Sequence, residues 1–234
     1  MFDKTPEFYD KIYSFKDYED EARKLCSLIQ RESPSAHTIL DVACGTAAHG
    51  LILSRKFAVD GLDLQPEFVE VARKKLPKGS FIVADMRAFD MEKHYDVVQC
   101  LFSSIGYLLS GDDVVQALSC FKRHLNPGGV IFVEPWFTPA QWSVGRPWMT
   151  TYEEPELKIC RMNVSERTGD ISVLRFHYMV ADPTGVHRFD EVHQLKLYSE
   201  DEMLSFFSRA GLQATFDPEG IFGRGMYTAR VAVE

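Results

Sequence analysis

The chain has 234 residues, 45% of them apolar and 26% charged, a size and balance that suit one compact body with a sizeable core. Its 26 Lys and Arg stand against 34 Asp and Glu, and the resulting net charge of −8 argues against nucleic acid as a partner. The five cysteines (Cys26, Cys44, Cys100, Cys120, Cys160) form no CxxC pair, and no apolar run nears the roughly 18–20 residues that cross a bilayer; a cytoplasmic chain with free thiols and no bound metal is expected.

Over residues 17–30, Tyr18, Ala22, Leu25, Cys26, Leu28 and Ile29 recur at helical spacing between charged residues, which predicts an amphipathic helix ending near Ser33-Pro34-Ser35. A short β-rich run from Thr38 to Val42 follows, then a small-residue turn and a helical stretch from Ala47 to Arg55. The alternation repeats. Residues 57–63 read as a second strand, Pro66 opens a helix through Lys75, and residues 81–85 read as a third strand. A fourth apolar run begins at Tyr95, a helix runs from Asp112 to Leu125, and Asn126-Pro-Gly-Gly turns into a fifth strand, 130–134. Five strands alternating with helices predict a doubly wound, Rossmann-like α/β sheet that binds its ligand outside the strands' carboxyl ends.

After Glu134 the rhythm changes. Residues 157–165, 171–181 and 186–198 read as three antiparallel strands joined by turns at Thr168-Gly-Asp and Asp182-Pro-Thr-Gly, an insert expected to cover one end of the sheet. Ser199 and Glu202 form a capping box for a helix stopped at Gly211, and strands 212–216 and 226–233 close the chain. The resulting division is a helical leader over 1–36, an α/β core over 37–135, an insert over 136–198 and a closing segment over 199–234.

Residues 41–50, D-V-A-C-G-T-A-A-H-G, decide between two cofactor classes. Gly45 to Gly50 nearly matches the dinucleotide fingerprint, with Asp63 as a ribose-binding acid, but Ala47 puts a methyl group where the fingerprint brings backbone up to a pyrophosphate. S-adenosylmethionine has no phosphates. Asp63 would accept its ribose hydroxyls, Asp85 its adenine amino group, Met86 would pack on the ring, and Asp41 would orient the loop or meet the ammonium. An acidic pocket suits the cationic sulfonium.

Several motifs resemble one family: Lys16-Asp-Tyr18, L-D-V-A-C-G-T from Leu40, Asp85-Met-Arg87, F-S-S-I-G from Phe102, Pro127-Gly-Gly-Val, V-E-P-W from Val133, His177-Tyr178 and Gly223-Arg-Gly225. The chain resembles the class I methyltransferases, and among them the enzymes that N-methylate nucleotide-linked amino-deoxysugars. That resemblance implies a seven-stranded sheet with its last strand antiparallel, S-adenosylmethionine as cofactor, and a small-molecule amine as acceptor. It also implies cofactor contacts from Tyr9, Tyr18, Ala43, Gly45, Leu64 and Phe102, with Tyr9 and Tyr18 on a lid. Acceptor chemistry would fall to Tyr107, Arg224 and His177. Two positions depart from the family: Ala47 replaces a usual glycine, and Tyr107 replaces a histidine that is thought to handle the substrate amine.

The residues themselves leave other functions open. An O-methyltransferase, a nicotinamide-dependent oxidoreductase and a non-catalytic adenosyl-binding module each fit the same first turn. Trp136, Trp142 and Trp148 could wall a substrate pocket or simply cover the sheet. The run Glu153-Glu154-Pro-Glu156 reads as a solvated turn, and the exposed insert offers a surface for a homodimer.

Overall fold

The computed structural model describes residues 8–221 and 223–232. The first seven residues of the predicted lid, and Val233 of the last predicted strand, lie outside them.

A helical turn, α1 (Tyr9–Ile12), precedes α2 (Tyr18–Glu32), which Asp17 caps by accepting from the Asp20 N–H at 2.9 Å. Strand β1 (Thr38–Val42), helix α3 (Ala48–Leu53), strand β2 (Ala58–Asp63), helix α4 (Pro66–Lys75) and strand β3 (Phe81–Val83) follow in the predicted order. Strand β4 (Tyr95–Cys100) leads through a 3₁₀ turn, Ser104–Tyr107, into helix α5 (Gly111–Arg123) and strand β5 (Leu125–Val133). Helix α6 (Glu200–Arg209) carries the expected capping box, with strands β10 (Leu212–Asp217) and β11 (Met226–Val231) behind it.

These strands form a seven-stranded sheet in the order β10-β11-β5-β4-β1-β2-β3. All pairings are parallel except those of β11, which runs antiparallel to both β5 and β10. The strand order reverses between β1 and β4, so the carboxyl ends of these two strands open a crevice, the usual ligand position in such sheets. Aliphatic side chains fill both faces: Leu40, Val42, Val98 and Ile131 pack toward α5 and α6, Ile39, Val97 and Phe132 toward α2.

The insert has four strands, not three. Between β5 and the predicted first insert strand, β6 (Pro147–Glu154) pairs with β7 (Leu157–Thr168), followed by β8 (Ile171–Asp182) and β9 (Gly185–Lys196), in the order β6-β7-β8-β9. Glu153 and Glu154 therefore end a strand, and Glu154 is paired with Lys11 of α1, where a free turn was expected. The inner face of this sheet, with Leu157, Ile159, Phe176, Tyr178 and Val180, packs on Ile12 and Tyr13. Insert and leader thus close together over the crevice.

Candidate active site

The turn between β1 and α3 is built on left-handed backbone. Ala43, Gly45 and Ala47 have φ of 57°, 54° and 56°. Gly45 takes this conformation without cost, whereas a side chain there costs roughly 1–2 kcal/mol. Ala47 therefore holds a conformation that glycine would hold freely, and its buried methyl packs with Val69, Ala72 and Phe81 in compensation. Asp63, at the end of β2, binds the turn directly: its Oδ2 accepts from the Gly45 N–H at 2.8 Å and its Oδ1 from the Gln65 N–H at 3.0 Å. Burial pushes its carboxyl pKa up. Each oxygen keeps a further lone pair, which is the acceptor set that the two hydroxyl donors of a ribose diol need.

A cavity of about 1200 Å³ lies in front of this turn, between the sheet's rim and the insert. It gathers Tyr9, Ala43, Gly45, Asp63, Leu64, Asp85, Met86, Phe102, Tyr107 and Arg224 of the residues expected from the sequence. Trp136, Trp142 and Trp148 line it as well. Asp85 is held by a two-pronged ion pair with Arg87, Nη2 to Oδ2 at 2.6 Å, which lowers its carboxyl pKa. Tyr9 closes the near side, its ring 4.8 Å from that of Phe68 and 4.7 Å from that of Tyr13.

Three expected residues stand elsewhere. Asp41 is buried behind the turn and does not line the cavity; burial raises its carboxyl pKa to about 6. Tyr18 also stands off the cavity wall, its ring packed edge-on against His49 at 5.0 Å and beneath the Lys16 ammonium. His177 is on the wrong face of β8. Phe176, Tyr178 and Val180 turn inward, so the alternation of a strand sends His177 outward, where its Nδ1 lies 2.7 Å from Asp190 Oδ1. The histidine that lines the cavity is His193 on β9, its Nδ1 2.8 Å from the Tyr107 hydroxyl.

The loop carrying Tyr107 is held from β5. Phe102 and Ser103 both have positive φ, 53° and 61°. The Phe102 N–H donates to Glu134 Oε2 at 2.6 Å and the Ser103 hydroxyl to the Pro135 carbonyl at 2.6 Å. Glu134 is wholly buried, burial raises its pKa, and Arg224 answers it with Nη2 at 2.6 Å from Oε1. Lys16, in the same wall, lies 3.8 Å from the centre of the Phe102 ring and 3.1 Å from Glu21 Oε2. Sequence reasoning missed Glu134, Lys16 and Arg161, whose guanidinium lies 4.5 Å from the Phe176 ring centre and donates from Nη1 to the Tyr13 hydroxyl oxygen at 3.1 Å. Glu134 stood inside the quoted V-E-P-W motif as an acid ending an apolar strand, and that was its available signal.

Residues 39–129 match the methyltransferase domain family. Over 226 residues, 95% of this chain and 89% of the relative, the sequence is 36% identical to dTDP-3-amino-3,6-dideoxy-alpha-D-glucopyranose N,N-dimethyltransferase of Streptomyces fradiae. The crystal structure of Streptomyces venezuelae DesVI superposes with a TM-score of 0.91 at 34% identity, covering 97% of this chain and 98% of that one. That of CalS10, an amino pentose methyltransferase from Micromonospora echinaspora solved with S-adenosylmethionine bound, gives 0.86 at 31% identity, covering 94% and 95%.

Proposed function

From the chain's membership of the S-adenosylmethionine-dependent sugar N-methyltransferases, to which it belongs by similarity along nearly its whole length, we propose that it methylates the amino group of a nucleotide-linked amino-deoxysugar. The observation that carries this reading is the single cavity wall that joins Asp63 and the left-handed turn at one end to the aromatic and cationic insert face at the other. One end suits an adenosyl group. The other, with Trp136, Trp142, Arg146 and Arg161, suits an aromatic base and an anionic linkage.

Bound S-adenosylmethionine supplies a methyl group on a sulfonium. The chain's own part is to bind, align and dry. Asp63, which fixes Gly45, would hold the ribose, Met86 and Leu64 would flank the adenine, and Asp85 would accept from its amino group. Tyr9 and Phe102 would enclose the remainder of the cofactor, and Asp41 and Tyr18 would support the turn and lid from behind. Alignment of this kind contributes about 7–11 kcal/mol to a bimolecular displacement. Tyr107 and Arg224, which line the same cavity, would serve the acceptor, with Arg224 held by Glu134.

No helix among the described residues is long and apolar enough to cross a membrane. We place the chain in the cytoplasm, with a small-molecule acceptor and no nucleic-acid partner, in keeping with its net charge of −8. The outer face of the insert exposes Met149, Met162, Val164, Met179 and Val192, and we assign it to a homodimer contact, which light scattering on the purified chain would read as twice the monomer mass.

The test of function is mass detection on a panel of dTDP-linked amino sugars, their hydroxyl analogues and S-adenosylmethionine. Methylated amine with stoichiometric S-adenosylhomocysteine supports the reading; product only from the hydroxyl analogues replaces it with O-methylation.

A further inference from the structure

The Tyr107 hydroxyl and His193 Nδ1 are 2.8 Å apart in the wall of the acceptor cavity. We propose that they form a proton relay, in which Tyr107 takes the proton leaving the acceptor nitrogen while passing its own to His193. This rests on the amine reading above and adds to it the route by which the proton leaves.

The pair is positioned from two separate elements. Tyr107 ends the 3₁₀ turn after β4, and His193 projects from the inner face of β9, only 1% exposed. The turn is pressed on that strand: a methyl group on Gly106 would meet Trp136 Cβ at 2.9 Å and Leu195 Cδ2 at 3.3 Å. The Tyr198 hydroxyl, from just beyond β9, donates to the Leu108 carbonyl at 2.7 Å and ties the other end of the turn. Glu191 lies two residues from His193 on the same face, buried, with Oε2 3.6 Å from His193 Nε2. Among the described residues, the other titratable groups around the pair include Tyr9 on α1, Tyr178 on β8, Arg161 on β7, Tyr13 behind α1 and Asp63 on β2.

The chemistry assigns the order. Burial holds the Tyr107 phenol well above its ordinary pKa, so Tyr107 does not act as a phenolate base. Its oxygen has lone pairs to accept and one proton to give. A neutral imidazole has one ring nitrogen that accepts a proton, so His193 is suited to be the final acceptor. As the carbon–nitrogen bond forms and the carbon–sulfur bond breaks, one N–H bond of the acceptor breaks toward Tyr107 Oη. The Oη–H bond breaks toward His193 Nδ1 in the same movement. The phenol is regenerated, the sulfonium becomes a neutral thioether, and the new imidazolium faces the Glu191 carboxylate. His193 acts through Tyr107 and is a positioning residue rather than one that touches substrate.

The experiment compares wild type, Tyr107→Phe, His193→Gln, their double variant, and Tyr107→His combined with His193→Gln. Each is the full chain with S-adenosylmethionine and a dTDP-linked 3-amino-3,6-dideoxyglucose. Each single change should lower the single-turnover rate by about 100-fold, at unchanged S-adenosylmethionine affinity. It should also remove the ascending limb of the rate against pH at saturating acceptor. The Tyr107→Phe, His193→Gln double variant should be no slower than either single, because the two act as one unit. Tyr107→His should restore rate to His193→Gln by putting an imidazole at the acceptor itself, which a purely structural role for His193 would not permit. A His193→Gln rate and pH profile like wild type, or effects that multiply in the double variant, would overturn the relay alone. A wild-type chain that methylates no amine overturns the functional reading, and the relay with it, before any variant is made.

Discussion

Glu134 and Arg224, 90 residues apart in the chain, form an ion pair in which Arg224 Nε and Nη2 lie 2.8 and 2.6 Å from one oxygen of a carboxylate shut off from solvent. The other oxygen takes the Phe102 N–H. The closing segment therefore reaches across β5 to steady the loop that carries Tyr107, and Arg224, expected from the sequence as an acceptor contact, has a structural partner as well.

Arg224→Ala leaves a buried carboxylate without its counter-ion, a change that costs about 3 kcal/mol. For a chain of this length that corresponds to a fall of roughly 6–12 °C in melting temperature. Adding Glu134→Gln should recover part of the loss. Thermal melts read both, and a single variant that melts with wild type would mean the pair is not closed in solution.

Asp41 gives a pH dependence of known sign. Its folded pKa, about 6 against an ordinary 3.8, is raised by burial, so the folded chain holds this proton more tightly than the unfolded one. The Asp41 contribution therefore falls as pH rises through that window and is level above it. Asp41→Asn removes it. Measured by urea unfolding, the variant should gain on wild type by up to about 3 kcal/mol between pH 4 and 6. A constant difference across that range counts against a buried, protonated Asp41.

The lid is latched by Asp10, whose oxygens meet the Thr46 hydroxyl at 2.5 Å and Lys75 Nζ at 2.6 Å. Asp10 is partly exposed, so its removal is worth about 1 kcal/mol rather than a buried ion pair's full cost. Asp10→Ala should speed release of S-adenosylmethionine about fivefold with little change in melting temperature. Stopped-flow displacement reads the rate; equal release from both chains would show that α1 does not gate the cofactor.

His177 faces away from the cavity. His177→Ala should leave turnover within about twofold of wild type, as for an ordinary surface change. Steady-state kinetics on the amine acceptor checks this, and a loss beyond tenfold would return His177 to the chemistry.

Local sequence determined much of this protein. The strand and helix order of the core, the Asp17 and Ser199 caps, the stop at Gly211 and the acids at the strand ends follow from periodicity and turn chemistry that act over a few residues. Strand β6 was hidden because its burial is slight and its alternation weak, so pairing with β7 defines it more than its own residues do. The choice between His177 and His193 belonged to the tertiary structure. The two-residue turn after Asp182 pairs Leu174 with His193 and His177 with Asp190, so these odd-numbered histidines face opposite sides of one sheet. Residues paired across strands share a face, and that register, like the joining of Glu134 to Arg224, exists only once distant segments have met.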